Sequence, residues 1–197
     1  MPLEVELKSV VDDVDAARRH LEAAGARLVF DGQLEDRRYD TPDRRLAGRD
    51  QVLRLRVYRD DHGARASLDW KGPAREDAGY KVRDEISART ADPIELAALL
   101  ERLEYDVIAE IDRHVTQYAL ERATVRFERY PRMDALVEVE GPPASIERAI
   151  AALGLPRNGF STDRLTAFVE RFERRTGERA AVSARQLTDG IRGSVDG

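Results

Sequence analysis

The first strand predicted from the sequence, residues 3–8, reads LEVELK and places charged residues at alternating positions. Because side chains alternate across a strand, Glu4, Glu6 and Lys8 share one face, and the apolar residues share the other. Two carboxylates beside an ammonium group can hold a metal ion next to an anion. The alternative is a solvated strand face with charges spaced by chance, since charged side chains are usually exposed. The choice depends on whether other strands repeat the arrangement.

The composition is typical of a charge-rich globular chain. Of its 197 residues, 36% are charged and 42% are hydrophobic, which suits one domain with a sizeable core. The formal net charge of -5 argues against general nucleic-acid binding. No apolar run approaches the about 18 residues of a membrane span, and the first strand begins too early for a signal peptide. The absence of cysteine fits a reducing compartment, so we expect a cytoplasmic protein. From the net charge and the lack of a long apolar run, we expect it to bind neither nucleic acid nor membranes.

Hydrophobic periodicity predicts four helices and nine strand segments, from which we expect roughly seven or eight strands. Because they do not alternate steadily, we expect an α+β fold with a mainly antiparallel sheet. Residues 1–175 are predicted to form a single domain, and residues 176–197 a polar tail that is partly disordered. The helices are predicted at 13–24, after Asp92-Pro93, after a cap at Ser145, and at 162–175. The strands are predicted at 3–8, 27–30, 35–42, 51–59, 66–71, 80–89, 107–120 (one strand, or two broken near Asp112), 124–130 and 136–140.

Five strands repeat the pattern of the first, with one apolar and one charged face. A sheet with one wet face would also give this pattern. A closed or curled sheet with the charges inside is favoured because few neutral polar residues dilute the charged faces and the two signs are segregated. The positive side chains form a basic wall, consisting of Lys8, Arg54, Arg56, Lys71, Lys81 and Arg83. The negative side chains form an acidic wall, consisting of Glu4, Glu6, Glu128, Glu138 and Glu140.

The two walls suit different partners. Arginine forks match phosphate oxygens and lysine acts as a point charge, so the basic wall suits a polyanion. Carboxylate oxygens suit Mg²⁺ or Mn²⁺, hard ions that also bind substrate phosphates. A triphosphate with a divalent metal ion satisfies both walls. A barrel can carry polar side chains in a lumen that is wet or filled by a ligand, with the apolar faces covered by helices outside.

The charged residues lie in motifs whose order resembles the CYTH family, the triphosphate tunnel metalloenzymes. The resemblance spans about residues 1–170 and implies an eight-stranded, mainly antiparallel closed β-barrel, the triphosphate tunnel, with helices packed outside. The motifs that carry it are Glu4-x-Glu6-x-Lys8, Asp36-x-x-Tyr39-Asp40-Thr41, Leu53-Arg54-Leu55-Arg56, Trp70-Lys71-Gly72-Pro73, Arg83-x-Glu85 and Val137-Glu138-Val139-Glu140.

The resemblance also implies roles for individual residues. Glu85 is a supporting carboxylate that orients the basic residues. The expected metal ligands for Mg²⁺ or Mn²⁺ are Glu4, Glu6, Glu128, Glu138 and Glu140. The expected triphosphate-binding residues are Lys8, Arg54, Arg56, Lys71, Lys81, Arg83, Arg113 and Arg126.

The sequence departs from the family pattern in three places. One is the start of the last helix, where family members often have Ser-Tyr and residues 161–164 read STDR. The family's Lys-x-Arg pair falls on Arg113 and Val115, so one cation is missing, and Arg126 is a candidate to supply it. The family's metal-binding Asp on the next strand falls on Glu128, one methylene longer. Asp36 either lines the tunnel mouth or pairs with a neighbouring arginine, and the sequence does not choose between these roles.

The function expected from this resemblance is metal-dependent hydrolysis of a triphosphate compound, either inorganic tripolyphosphate or an organic triphosphate such as ATP or thiamine triphosphate. A metal ion would bridge phosphates and carboxylates, and Glu138 or Glu140 would activate the attacking water. Lys8 and the other cations would neutralise the phosphoryl group. Two alternatives stay open, a class IV adenylate cyclase and a non-catalytic triphosphate binder. A homodimer is an expected assembly.

Overall fold

The computed structural model describes residues 3–192, and all of the strands in this range belong to one sheet. Every pairing between neighbouring strands is antiparallel. The strands of the described residues are β1 (Leu3–Val10), β2 (Arg27–Asp40), β3 (Val52–Asp60), β4 (Gly63–Lys71), β5 (Arg75–Asp77), β6 (Tyr80–Thr90), β7 (Asp106–Leu120), β8 (Ala123–Arg129) and β9 (Leu136–Glu140).

The sheet closes on itself because its first strand pairs on both edges. The order is β1-β9-β8-β7-β2-β3-β4-β6, and β6 pairs again with β1 from Leu3↔Asp84 to Glu6↔Lys81. Strand β5 pairs only with β6 and adds an extra strand outside the ring. The predicted α+β fold, a closed eight-stranded antiparallel barrel with helices outside it, is therefore confirmed.

Five α-helices are present in the described residues, and none of them combines the length and the apolar character needed to cross a membrane. Pro93 begins the second helix, and the Asp92 side chain accepts hydrogen bonds from the next two free backbone N–H groups, so the predicted cap is confirmed. The helices are α1 (Val14–Ala23), α2 (Pro93–Arg102), α3 (Pro143–Leu153), α4 (Leu165–Thr176) and α5 (Ala184–Arg192).

The largest apolar core lies outside the barrel wall, between the sheet and two helices. Leu21 of α1 and Ile146 of α3 are fully buried against the outer faces of β8 and β9, where Val125 and Val139 are also fully buried. A second cluster joins Leu100 of α2 to the outer faces of β2 and β3. The apolar face of each strand is thus directed outward, and the charged face must line the lumen.

Three local predictions are wrong. The strands predicted at 27–30 and 35–42 form one strand, β2, because Asp31, Gly32 and Gln33 continue the backbone pairing between them in spite of their turn-like composition. A β-bulge between Leu28 and Phe30 also shifts the alternation near the start of the strand. The polar loop after Gly72 contains β5. Ser145 does not cap α3, which begins two residues earlier at Pro143. Proline at a first helical position has no N–H group to satisfy, so the helix begins without a side-chain cap.

The predicted C-terminal tail is attached to the barrel by backbone hydrogen bonds. After Gly177 ends α4, Ala181 forms a two-way bridge with Arg132. The N–H group of Asp112 then donates to the carbonyl of Val182 at 2.8 Å, and its carboxylate accepts from the N–H group of Ala184 at 3.0 Å. The expected disorder is therefore not found up to α5, and residues 193–197 lie outside the described residues. The domain boundary at residue 175 stays a prediction.

The outer core should dominate stability, and two leucines on helices provide a matched test. Leu21 is fully buried, whereas Leu99 of α2 is 55% exposed. Leu21→Ala should lower the free energy of unfolding by about 2–5 kcal/mol because it leaves a cavity. Leu99→Ala should change it by less than about 1 kcal/mol. Urea unfolding of both variants measures the difference, and equal losses would contradict this description of the core.

Candidate active site

Charged side chains line the lumen on every strand of the ring. Glu4 and Glu6 are only 7% and 3% exposed, so the charged face of β1 is turned inward and the alternative of a solvated face is wrong. The roles of the residues stay predictions, but the structure brings the whole predicted set to the inner faces of the strands. These residues are Glu4, Glu6, Lys8, Arg54, Arg56, Lys71, Lys81, Arg83, Glu85, Arg113, Arg126, Glu128, Glu138 and Glu140.

Lysines separate the carboxylates of the acidic wall. Lys8 Nζ lies 2.7 Å from a Glu138 carboxylate oxygen and 3.5 Å from one of Glu6. Lys81 Nζ lies 2.5 Å from Glu6, and Lys71 pairs with Glu4. In this arrangement β1 forms the seam between the two walls, because its glutamates meet lysines from β4 and β6.

Two carboxylates of the acidic wall nevertheless lack enough positive charge. Burial raises the pKa of Glu140 to about 7, and the nearby carboxylates of Glu138 and Glu4 add to this effect against the opposing effect of Arg126. Burial also raises the pKa of Glu4, in spite of Lys71. By contrast, Lys8 and Arg126 overcome the effect of burial at Glu138 and hold its pKa well below its ordinary value. The excess negative charge at Glu4 and Glu140 is of the kind that a bound cation would relieve.

The acidic wall provides the type of ligand atom that a divalent metal ion needs. Its carboxylates are the hard oxygen ligands that Mg²⁺ and Mn²⁺ prefer. Within residues 3–192, however, no group of three or more His, Cys, Asp or Glu residues is arranged to hold a metal ion. The reason is visible in the ion pairs, because Glu4, Glu6 and Glu138 are each turned toward a lysine.

On the opposite side of the lumen, Asp36 of β2 is the centre of the basic residues. Its side chain is fully buried, and one carboxylate oxygen lies 3.4 Å from Arg54 Nη1 and 3.7 Å from Arg113 Nη2. Arginine neighbours lower the pKa of Asp36 against the large opposing effect of burial. The sequence left the place of Asp36 open, and the structure places it in the lumen rather than beside Arg37, which pairs with Asp112.

Two further carboxylates hold the basic wall. Glu85 lies 3.5 Å from Arg54, 3.7 Å from Arg56 and 3.6 Å from Lys71, a position that suits the supporting role expected for it. Asp69, which the sequence analysis did not select, is fully buried and also pairs with both arginines. Its inward position on the same face as Lys71 was a usable signal, because a strand places residues two apart on one face.

The buried polar atoms that lack a hydrogen-bond partner cluster around Asp36. Three arginines each have one buried nitrogen that makes no hydrogen bond, although Arg54 Nε lies 3.4 Å from an Asp69 carboxylate oxygen. A guanidinium cannot lose its proton to avoid the cost. Unused donors on converging cations are the property expected of an anion site. In the described part of the chain, the buried side-chain atoms that make no hydrogen bond are Asp36 Oδ1, Arg38 Nε, Arg54 Nε and Arg113 Nη1.

Arg83 is engaged by the loops at one end of the barrel. Its Nε donates to the carbonyl oxygen of Gly72 at 2.6 Å, and its Nη2 donates to that of Asp50 at 2.7 Å. The Asp50 side chain also pairs with Arg164, 2.9 Å away. The guanidinium of Arg83 therefore holds two loops together in this structure, and its expected contact with phosphate stays a prediction.

The positions that depart from the family pattern have different surroundings. Val115 is fully buried inside the barrel with Leu34 and Phe30. Arg126, the candidate replacement for the missing cation, donates to Glu138 at 2.7 Å and so lies against the acidic wall. Glu128 accepts from Arg113 Nε at 2.8 Å and from the Tyr130 hydroxyl at 2.6 Å. Its carboxylate therefore orients Arg113, one of the expected triphosphate-binding residues.

Comparison with protein-family models matches residues 2–142 to the CYTH domain. The chain belongs to the CYTH family. The resemblance to the CYTH family seen in the sequence is thereby confirmed. A search of curated proteins finds no match.

Solved structures share this CYTH fold at low sequence identity, so their likeness shows the fold alone. A candidate adenylate cyclase from Vibrio parahaemolyticus is 20% identical, with a TM-score of 0.73 over 85% of this chain and 98% of that one. A protein from Pyrococcus horikoshii is 22% identical, with a TM-score of 0.71 over 85% and 98%. A candidate adenylyl cyclase from Hippeastrum, described as having a dominant triphosphatase activity, is 16% identical, with a TM-score of 0.60 over 90% and 97%.

The raised pKa of Glu140 predicts a pH-dependent stability. A carboxyl group that binds its proton more tightly when folded stabilises the protein below pH 4.5, and this contribution is lost as the pH rises through about 7. Glu140→Gln removes the titrating group. Relative to the wild type, this variant should gain up to about 3 kcal/mol in the free energy of unfolding between pH 5 and pH 8. Urea unfolding in chelator at each pH measures it, and parallel pH profiles would contradict the assignment.

Asp36 should be far more important for stability than the adjacent carboxylate on the outer face. Asp36→Asn leaves Arg54 and Arg113 facing each other without their shared anion, which should cost about 3–5 kcal/mol of folding free energy. Glu35→Gln breaks only an exposed pair with Arg59 and should cost less than about 1 kcal/mol. Thermal or urea unfolding compares the two variants. A loss in Asp36→Asn no larger than that in Glu35→Gln would rule out the central role of Asp36.

Proposed function

We propose that this CYTH protein binds a triphosphate compound in its lumen and hydrolyses it with the help of Mg²⁺ or Mn²⁺. The observation that carries the proposal is the group of unused arginine donors around Asp36, which faces the excess carboxylates at Glu4 and Glu140 within one lumen. A polyanion would accept the free N–H groups, and a divalent cation would relieve the carboxylates. Inorganic tripolyphosphate is the simplest substrate with these properties, because only the triphosphate has to fit.

Binding would exchange partners within the lumen rather than leave charges unpaired. In the ligand-free protein, Lys8, Lys71 and Lys81 neutralise glutamates of the acidic wall. A triphosphate would draw these ammonium groups toward its oxygens, and the released carboxylates would become available to the metal. This matters because a buried charge that loses its partner costs several kcal/mol. The proposed metal ligands are Glu4, Glu6, Glu138 and Glu140, with Glu128 as a more distant candidate.

The catalytic roles follow from the protonation states. Glu140, whose pKa burial raises to about 7 in the metal-free protein, is the candidate general base for the attacking water at neutral pH, a role that it can fill when it is not itself bound to the metal. Glu138 stays ionised, because Lys8 and Arg126 lower its pKa. Nearby carboxylates raise the pKa of Lys8 despite its burial, so the side chain keeps its proton and its positive charge can stabilise negative charge on the phosphates. When bound, Mg²⁺ or Mn²⁺ would neutralise phosphate oxygens and make water a stronger nucleophile.

A product assay tests the reaction. Purified protein is incubated with tripolyphosphate, ATP or thiamine triphosphate, each with Mg²⁺ or Mn²⁺, and phosphate, pyrophosphate and cyclic AMP are measured. We expect phosphate release from tripolyphosphate that stops when a chelator is added. Cyclic AMP with pyrophosphate from ATP would establish a cyclase instead, and binding without any product would establish a non-catalytic binder. The cytoplasmic location and the homodimer stay predictions from the sequence.

Paired glutamate variants test the acidic wall. Glu4→Gln with Glu6→Gln keeps the shape of both side chains but removes their charge, and we expect at least a roughly 100-fold loss of phosphate release. The matched control is Glu95→Gln with Glu101→Gln, which removes two exposed charges from α2 and should leave the rate unchanged. Full activity in the first double variant, or activity that persists in chelator, would remove the metal assignment.

A further inference from the structure

The inward-facing residues of β2 mark successive positions along the length of the lumen. Because side chains alternate, Leu34, Asp36 and Arg38 share this face, with Asp36 in the middle. At about 3.3 Å of rise per residue, Leu34 and Arg38 lie about 13 Å apart along the strand. The surroundings on the two sides of Asp36 are opposite in character, and this contrast indicates where a bound anion would lie.

On the Leu34 side, the lumen is filled by an apolar plug. Leu34 and Val115 are fully buried and Phe30 is 3% exposed. The Tyr58 ring meets the Phe30 ring edge-on, with centroids 5.4 Å apart, and the Arg65 guanidinium covers both rings at 4.6 and 4.9 Å. Packed side chains fill the space there, so a phosphate would lose its hydration without the cluster of unused buried donors found around Asp36. The apolar plug consists of Phe30, Leu34, Tyr58 and Val115.

On the other side, Arg38 is a cation without a partner. No Asp or Glu among residues 3–192 forms an ion pair with it, and its Nε is buried without an acceptor. Its cross-strand neighbour on β3 is another arginine, Arg54. Burial lowers the pKa of Arg38, and the charges of Arg54 and Arg113 lower it further against the effect of Asp36.

Such an arrangement is unfavourable in the ligand-free protein. The carboxylate of Asp36 pairs with Arg54 and Arg113, and the charge of Arg38 lowers its pKa without forming an ion pair with it. Each of the three guanidinium groups has a buried nitrogen that makes no hydrogen bond. Arg54 and Arg113 have further carboxylates in Asp69 and Glu128, whereas Arg38 has none in the described chain. A ligand with several anionic oxygens would satisfy all three at once.

We propose that Arg38 is a triphosphate-binding residue, which adds a cation to a lumen that lacks one at Val115 and places the phosphates on the Arg38 side of Asp36, away from Val115. The inference rests on the proposed binding of a triphosphate in this lumen, but not on its hydrolysis. The planar fork of Arg38 can hold two phosphate oxygens, and the donors of Arg54 and Arg113 complete the contact. The apolar plug excludes the ligand from the opposite end.

The test is the binding of tripolyphosphate to Arg38→Gln, measured by the rise in the thermal unfolding midpoint as ligand is added, with Mg²⁺ and without it. We expect a dissociation constant at least 10-fold higher than that of the wild type. Without ligand, the variant should be as stable as the wild type or more stable, because an unpaired cation has been removed. Arg38→Lys keeps the charge but loses the fork, so its affinity should be intermediate; it also serves if the glutamine variant does not fold.

The control is Arg37→Gln, which makes the same change at the next residue, on the outer face, where Arg37 pairs with Asp112 at 2.6 Å. Its affinity should match that of the wild type. Unchanged affinity in Arg38→Gln, or equal weakening in both variants, would overturn the inference. A wild type that is not stabilised by tripolyphosphate would overturn it together with the proposed binding. If tripolyphosphate binds without phosphate release, only the proposed hydrolysis fails, because this measurement requires no turnover.

Discussion

The contact of Asp36 with Arg54 and Arg113 joins three neighbouring strands, β7, β2 and β3, inside the lumen, and it shows how charge must be balanced in the barrel interior. Ions that are removed from water must be matched closely by opposite charges, because the loss of hydration can exceed the attraction between them. The lumen therefore contributes little net stability of its own. The free energy that keeps it folded comes from the outer apolar layer, where Leu21, Ile146 and Val139 are fully buried. The helices outside are thus a condition for the charged interior.

Positive and negative charges are not equally matched everywhere in the lumen, and the two unmatched groups lie on opposite sides of it. At the seam along β1, each lysine has a glutamate, so Lys8, Lys71 and Lys81 can change partners without becoming isolated. Around Asp36 there are too many arginine donors, and at Glu140 there are too few cations. A fold selected for stability alone would pair these groups or replace them by apolar residues. The imbalance is a physical reason to infer a ligand, independent of family membership.

Alternation made the strands and their charged faces predictable, because a period of two assigns Glu4, Glu6 and Lys8 to one face without knowledge of the partner strand. Features that depend on register or on the backbone were not predictable. The bulge between Leu28 and Phe30 shifts the alternation near the start of β2, and the turn-like residues 31–33 hide its continuity. Val115 and Leu34 belong to strands far apart in sequence, and only the register brings them together as an apolar plug. The attachment of Val182 uses its backbone carbonyl, which no side-chain pattern records.

The two imbalances also constrain how metal and triphosphate would act on each other. A triphosphate alone would satisfy the donors of Arg38, Arg54 and Arg113 but would add negative charge to a lumen that already holds a carboxyl group with a pKa of about 7. A divalent cation alone would relieve Glu140 but would repel the lysines from the glutamates. Bound together, each ligand removes the cost imposed by the other, so the affinity for each should rise when the other is present. Because linkage is reciprocal, the two increases must be equal in free energy. In the proposed function, the charged lumen therefore selects the metal–triphosphate complex over either ligand alone.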